Sequence, residues 1–362
     1  MEINVKDNVP LAPLTTMGVG GKARYWASCG TVDELRAALE WARLRAQPVQ
    51  VLGGGSNTIF ADGTYPGLVL KIELKGIEQS AGAVDGEITM KVAAGEHWDD
   101  FVAHCVAVHL SGIECLSGIP GLVGATPIQN VGAYGQEVAQ TITAVQALDR
   151  DSLEPVSFTN QDCCFSYRSS RFKRADRGRF IITQVSFQLR RGVRPALTYP
   201  ELRDRMAGHS GYDQLEAGAA ASTAVRDAVI ALRRAKSMVL DPGDPNARSA
   251  GSYFLNPIIL GPVMDAVDER WKATAVDPDS AIPRFEESGG RKKIPAAWLV
   301  ENSGFGKGFR FGEAGISQHH ALAIVAYGSR AAAVVRLGEM IQEAVEKRFG
   351  IILETEPVLV TA

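Results

Sequence analysis

Apolar positions along the chain follow two periods. Leu35, Ala38, Leu39 and Ala42 recur at helical spacing, and Thr31 with Glu34 three residues on has the capping-box spacing that starts a helix. Pro48 ends it. Val49 to Leu52 reads as a short strand, and Gly67 to Leu74 as a second one after the turn residues Asp62, Gly63 and Pro66. Ile88, Met90 and Val92 alternate with polar residues as in a strand, and Trp98, Phe101, Val102 and Cys105 suit a helix. Strand-like runs return at Ile142 to Leu148, Pro155 to Phe158 and Phe180 to Leu189. Asp213 to Ser222, rich in Gly and Ala, reads as a loop before a helix from Thr223 to Lys236 with Val225, Val229 and Leu232 on one face. A long amphipathic helix, Ser329 to Arg348, aligns Val334, Leu337, Ile341 and Val345 and stops at Gly350. No internal repeat or low-complexity tract interrupts this order.

The elements predict an α+β chain, and 362 residues predict two or three domains. Hydrophobic residues at 46% and charged residues at 22% support a core that needs neither disulfide nor metal. A net charge of −3 disfavours a nucleic-acid partner. No apolar run approaches the roughly 18 residues of a membrane helix. Met1 to Pro10 carries Glu2, Lys6 and Asp7 in place of a leader's apolar run. The expectation is a soluble, cytoplasmic protein without a membrane partner. Of the five cysteines, Cys29, Cys105, Cys115, Cys163 and Cys164, none forms a CxxC pair, so they read as small buried hydrophobes. The adjacent Cys163 and Cys164 side chains diverge if that segment is extended. His319 and His320 are adjacent, but no HExxH or His/Asp cluster appears, so no metal is expected.

Five stretches carry candidate chemistry. Gly53-Gly54-Gly55-Ser56-Asn57 follows a strand, and consecutive glycines let backbone amides approach a phosphate. It lacks the GK[ST] of a Walker loop, and Thr58 stands where GxGxxG needs its last glycine. A plain tight turn is the competing reading. The segment from Ser117, with Gly118, Gly121, Gly124, Gly132 and Gly135, offers a second set of amides. Two such loops on successive small α+β units point to a dinucleotide, although the second taken alone also reads as an irregular structural loop. Arg168, within Phe165-Ser166-Tyr167-Arg168-Ser169-Ser170, offers a planar fork for a carboxylate, against the ordinary reading of a solvated charge. Ser252, between Gly251 and two aromatics, is a shielded hydroxyl donor outside any GxSxG elbow. Glu354-Thr355-Glu356-Pro357 places a carboxylate in extended backbone, or simply an exposed terminal acid.

The order of these motifs resembles the UDP-N-acetylenolpyruvoylglucosamine reductase (MurB) family of peptidoglycan synthesis. It runs from Asn8–Gly21 through Val51–Asn57, Gly118–Gly124, Gln129–Tyr134 and Tyr167-Arg168. It continues through Lys236, Ala250–Ser252, Asn256-Pro257 and Ala297–Leu299 to Glu354–Glu356. The resemblance implies a two-part FAD-binding domain of the vanillyl-alcohol-oxidase type plus an α+β substrate-binding domain. The expected boundaries are 1–75 and 76–195 for the two FAD-binding parts, 196–353 for the substrate domain, and 354–362 for a terminal segment with the catalytic glutamate. Arg168, Ser252 and Glu356 take the catalytic positions. Leu52, Gly53, Gly54, Gly55, Ser56, Asn57 and Thr58 from the first loop would hold FAD. So would Ser117, Gly118, Ile119, Pro120, Gly121, Gly124, Ala125, Gln129, Asn130, Gly132 and Tyr134 from the second. Tyr167, Tyr199, Lys236 and Asn256 would contact substrate, Tyr199 as the closing tyrosine of the longer subtype. Tyr253 departs from the family's frequent Phe, and the loop from Gly208 to Ala221 is longer than usual.

The implied reaction reduces UDP-N-acetylglucosamine enolpyruvate to UDP-N-acetylmuramate with hydride from NADPH by way of FAD. Hydride reaches the terminal CH₂ carbon and leaves carbanion character beside the carboxylate, where Arg168 is suited to hold the charge. Ser252 then delivers a proton, with Glu356 protonated or orienting Arg168 or a water. The expected partner is that sugar nucleotide, and the expected state a monomer. Another flavin oxidoreductase of the same fold would explain the glycine loops without the Arg/Ser/Glu set. A nucleotide-sugar-binding protein without turnover would need only the glycines and Lys236.

Overall fold

In a computed structural model that describes residues 3–208, 211–274 and 280–361, the chain forms two compact units. The first comprises Met1–Val9, Ala23–Gly54 and Pro66–Leu240. The second comprises Pro10–Lys22, Gly55–Tyr65 and Asp241–Ala362. Both mix helices with sheets, as the α+β expectation has it.

In the first unit, helix α1 (Val32–Leu44) begins with the expected capping box, Thr31 and Glu34 each bonding the other's backbone. Its stripe Leu35, Ala38, Leu39 and Ala42 is buried. One sheet orders Lys6–Pro10, Lys22–Cys29, Thr64–Ile72 and Val49–Leu52, the last two parallel. Pro66 lies inside a strand and not in a turn. Pairing with Val49–Leu52 starts only at Leu68, so the missing proline N–H is not needed there. A larger antiparallel sheet orders Pro155–Thr159, Ile142–Asp149, Phe180–Arg191, Glu87–Ala93 and Ile77–Ala81. Helix α2 (Trp98–Ala107) buries Trp98, Phe101, Val102 and Cys105. Trp98, Phe101 and Phe187 meet ring to ring, with centroids 5.2–5.9 Å apart.

The expected boundary at 195/196 falls inside this unit. Helices α3 (Pro200–Ala207) and α4 (Ala219–Ala235) bury Leu202, Met206, Val225 and Val229 in one cluster with Cys115. Helix α4 starts four residues earlier than the periodicity predicts. Ala219, Ala220 and Ala221 are strong helix formers, and Gly218 at φ +94° turns the chain into them. Of the Gly208–Ala221 loop, His209 and Ser210 lie outside the described residues.

The second unit collects Met17, Val19 and Ile59 from the early chain because their side chains belong to its core. One sheet orders Ser249–Ser252, Ala323–Ala326, Ala314–Ile316 and Arg310–Phe311, and a smaller one orders Ile258–Leu260, Arg291–Lys293 and Phe285–Glu287. Helices α5 (Gly261–Thr274), α6 (Ala296–Glu301) and α7 (Ala331–Phe349) complete it. The predicted stripe of α7 is buried, and Gly350 ends it at φ +73°. The Asp62 carboxylate accepts from the Ala331 and Ala332 amides at its start. The terminal segment is not separate, because Val358–Val360 pairs in parallel with Thr58–Phe60.

Four cysteines are buried and Cys164 is exposed. Burial pushes the Cys29 thiol up to about 12, the inert state expected of a small core residue. Cys163 and Cys164 do diverge, but through a tight turn with Cys164 at φ +48° and not through extended backbone. Among the described residues no helix is long and apolar enough to cross a membrane.

Candidate functional site

In the first unit the two glycine loops touch backbone to backbone. A Cβ on Gly54 would lie 2.6 Å from Gly121 Cα, and one on Gly124 would lie 2.5 Å from Ala94 Cβ. The nearest atom to a Cβ on Gly53 is 3.9 Å away. Gly54 and Gly124 are therefore required by packing, whereas Gly53 has room for a Cβ. Leu52 is fully buried beneath the loop, and the Lys71 ammonium donates to Gly53 O. Burial lowers the Lys71 pKa.

Much of the second loop is already occupied. Ser117 donates through both amide and hydroxyl to Glu114 O. The amides of Val123, Gly124, Ala125 and Thr126 donate to backbone carbonyls. The Gly118 amide donates to Asp99 Oδ1 at 2.5 Å, and Asp99 also holds Arg226 through two bonds of 2.6 and 2.9 Å. Burial alone would raise the Asp99 carboxyl. The hydrogen bonds from Arg226 and Gly118 and the charges of Arg226 and Arg233 outweigh it and hold Asp99 below its ordinary range. Gly118 thus bonds a carboxylate, which corrects the expectation that its amide faces a phosphate. Ile119 packs partly buried against the core, Pro120 precedes the Gly54 contact, and Ala125 is exposed.

Arg233 is the residue that the sequence reading missed here. It is 7% exposed, and its Nη2 donates to Met238 O at 2.8 Å. Its Nε is buried without a hydrogen-bond partner and lies 3.4 Å from where a Gly118 Cβ would stand. A buried guanidinium with an orphaned N–H is costly unless an anion or acceptor completes it. Its one sequence signal is its position three residues before Lys236, on the same helical face.

The Arg168 segment is a tight turn closed by paired bonds between Ser166 and Ser169. Arg168 adopts φ +49°, a conformation a non-glycine residue holds only when its surroundings enforce it. They do so here. The fully buried Asn130 donates to Ser166 O and Glu137 Oε2 and accepts from the Ala139 amide, while Lys173 donates to Arg168 O. Asn130 therefore supports this turn, its side chain being committed on both sides. The Arg168 guanidinium donates to Gly132 O at 2.5 Å and lies 5.7 Å from the Tyr167 ring. Gln129 is half-buried on the approach to this turn.

Three further expected residues meet nearby in sequence order. Tyr134 packs edge-on against Tyr199 at 5.5 Å, and the Lys236 ammonium lies 5.7 Å over the Tyr134 ring and 2.6 Å from Glu201 Oε2. Burial pushes the Tyr134 phenol up to about 12 and raises that of Tyr199. Both rings stay neutral near pH 7, and the Lys236 charge beside them is paired with Glu201.

In the second unit Ser252 ends its strand opposite Ala323, and the Glu356 backbone bonds the residue that follows Ser252. The Glu356 amide donates to Tyr253 O, and Phe254 bridges Thr355. Asn57 Nδ2 donates to Glu356 O at 3.1 Å, and Asn57 O accepts from the Val358 amide. Gly55 at φ +68° has no room for a Cβ, which would lie 2.0 Å from Leu14 O; Ser56 follows it, and Thr58 opens a strand. Asn256 Oδ1 accepts from the Ala296 amide at the start of α6. Ser252 Oγ is 3.2 Å from His320 Nε2, a partner the sequence reading left unassigned. Among the described residues no cluster of His, Cys, Asp and Glu is arranged to hold a metal.

The accessible backbone at Gly53, where the Lys71 ammonium bonds the carbonyl, and the buried, incompletely bonded Arg233 beside Gly118 suit an anionic dinucleotide. In agreement, residues 23–152 match the family model described as FAD binding domain, so the chain contains an FAD-binding domain. Residues 244–360 match the model described as UDP-N-acetylenolpyruvoylglucosamine reductase, C-terminal domain. The curated reductase of Thermobifida fusca is 42% identical over 356 residues, covering 98% of this chain and 97% of that protein. That of Streptomyces coelicolor is also 42% identical, covering 98% and 89%. The crystal structure of MurB from Thermus caldophilus superposes with a TM-score of 0.64 over 99% of both chains at 24% identity, which shows a shared fold. The chain belongs to the UDP-N-acetylenolpyruvoylglucosamine reductase family.

Proposed function

We propose that the protein reduces UDP-N-acetylglucosamine enolpyruvate to UDP-N-acetylmuramate, with bound FAD and with NADPH as reductant, in cytoplasmic peptidoglycan precursor synthesis. The observation that carries this reading is the 42% identity to curated reductases along 98% of the chain. When bound, FAD supplies the hydride that NADPH provides. The orphaned Arg233 Nε and the open backbone at Gly53 support an anionic dinucleotide at the glycine loops.

The chain's own residues handle charge and proton. Arg168 binds the substrate carboxylate and holds the negative charge that develops next to it, its fork oriented by the Gly132 carbonyl and the enforced turn. Ser252 gives its hydroxyl proton to the carbon bearing that carboxylate. Glu356 orients the groups at the developing enolate, its backbone fixed from two sides by Tyr253 and Asn57. Lys236 exchanges Glu201 for a substrate phosphate, with Tyr199, 43% exposed at the start of α3, free to pack over the bound ligand. The test is NADPH oxidation by the purified protein. It should be strictly dependent on the enolpyruvyl sugar nucleotide. Oxidation of NADPH with other acceptors only would favour another flavin oxidoreductase, and a colourless protein that binds the sugar nucleotide would favour a binding function.

A further inference from the structure

A serine hydroxyl that donates a proton becomes an alkoxide, a far stronger base than water tolerates near neutrality, and must be recharged. We propose that His320 supplies that proton: its imidazolium Nε2–H passes a proton to Ser252 Oγ as Ser252 Oγ–H passes its own to the substrate carbon. This rests on the reading of Ser252 as proton donor. The new C–H bond forms from the carbanion's electron pair, the serine ends as neutral hydroxyl, and the imidazolium ends as neutral imidazole, which takes up from bulk solvent the one proton that the overall reduction consumes. No further oxidant or reductant takes part.

Geometry carries the proposal. Ser252 Oγ and His320 Nε2 are 3.2 Å apart, within reach of direct transfer. The loop that presents His320 is closed on itself. The Ala323 amide donates to His320 O, the Ser317 amide to Ala323 O, and the His319 amide to Ser317 Oγ. Its outer side is fixed by the buried Asn246, whose Oδ1 accepts from the Gln318 amide. It is tied to the serine's own strand, since the Tyr253 amide donates to Leu322 O at 2.7 Å. These bonds fix the backbone that carries His320, and its ring meets the Ser252 hydroxyl. His320 is half-buried, so water can restore its proton. It acts through Ser252 and is a positioning residue that also carries a proton.

The experiment uses the FAD-loaded protein in separate half-reactions, with Ser252→Ala, His320→Gln, His320→Ala and the double variant Ser252→Ala/His320→Gln. Bleaching of the flavin by NADPH should stay within about threefold of wild type in all four, which also verifies folding. Reoxidation by the enolpyruvyl sugar should slow by at least about tenfold in His320→Gln, at saturating substrate and with little change in half-saturation. The double variant should be no slower than Ser252→Ala alone, because one proton path has been cut twice. Should His320→Ala fail to fold, His320→Gln carries the test. Reoxidation near the wild-type rate in His320→Gln overturns the proposal, and so do slowdowns that multiply in the double variant. A wild-type rate in Ser252→Ala instead refutes the reading of Ser252 itself, and the two failures are thereby distinguished.

Discussion

Gly53 and Gly54 are neighbours with different reasons to lack a side chain, and alanine at each separates packing from ligand approach. Neither has a positive φ, so alanine adds no backbone strain at either. At Gly54 the new methyl would lie 2.6 Å from Gly121 Cα and 3.1 Å from Gly121 C. Ordinary contact begins near 3.4 Å, so one loop must yield by about 1 Å, an overpacking cost of roughly 1–3 kcal/mol. At Gly53 the methyl meets its first atom at 3.9 Å and fits. Removing a glycine there should even stabilise the empty protein, by about 0.4–1 kcal/mol, through the unfolded chain. If the cofactor's phosphates approach the Gly53 backbone, the same methyl stands in their way. Loss of a single close contact, at about 1.4 kcal/mol, is a tenfold loss of affinity. The assay is two-fold: thermal unfolding of the FAD-free protein, and titration of FAD by fluorescence quenching. Gly54→Ala should lower the unfolding midpoint by several degrees, at about 2–4 °C per kcal/mol. Gly53→Ala should leave that midpoint level or higher and still raise the FAD dissociation constant at least tenfold. Wild-type FAD affinity in Gly53→Ala would refute phosphate approach at this loop, and an unshifted midpoint in Gly54→Ala would refute the packing argument.

Arg168→Lys should lose the planar fork that both grips Gly132 O and meets a carboxylate; FAD content stays normal and substrate-dependent turnover falls by about 10²-fold or more in steady-state assays. Ser252→Ala should leave NADPH bleaching of the flavin within a few-fold of wild type and slow reoxidation by about 10²–10⁴, read by stopped flow. Asp99 has a depressed carboxyl pKa, so its contribution is present above the unfolded carboxylate pKa and is lost as pH falls through the folded value. Acid titration of stability should show this loss on the low-pH side, and Asp99→Asn should be less stable at neutral pH and flatter below it. The side chain is 37% exposed, so the difference is modest, roughly 1 kcal/mol or less.

What the sequence made legible was what depends on local spacing. The capping box of α1, the strand ahead of the first glycine loop, the stripe of α7 and its glycine stop are each set by residues within a turn or two of one another. The candidate residues were legible through their chemistry and order, but their reasons were not. Asn130 and Asn57 read as cofactor contacts, yet their side chains hold the Arg168 turn and the Glu356 backbone, because both bonds span segments far apart in sequence. Gly118 read as a phosphate amide, and only the folded chain shows Asp99 already occupying it. Arg233 was invisible because an arginine near a helix end is normally solvated. Its burial follows from α4 packing beside Gly118, a contact no local pattern encodes. The packing across residues 195 and 196 is hidden for a similar reason. Leu202 and Val225 look like any apolar stripe until Cys115 is found among them.

The most direct test of the account is a single anaerobic turnover in D₂O. The FAD-loaded protein is reduced with one equivalent of NADPH and mixed with UDP-N-acetylglucosamine enolpyruvate. The account predicts that the yellow absorbance returns in step with formation of one equivalent of UDP-N-acetylmuramate, and that solvent deuterium appears on the carbon bearing the carboxylate. A flavin that stays bleached in the presence of that substrate, or a product without solvent deuterium at that carbon, would contradict it.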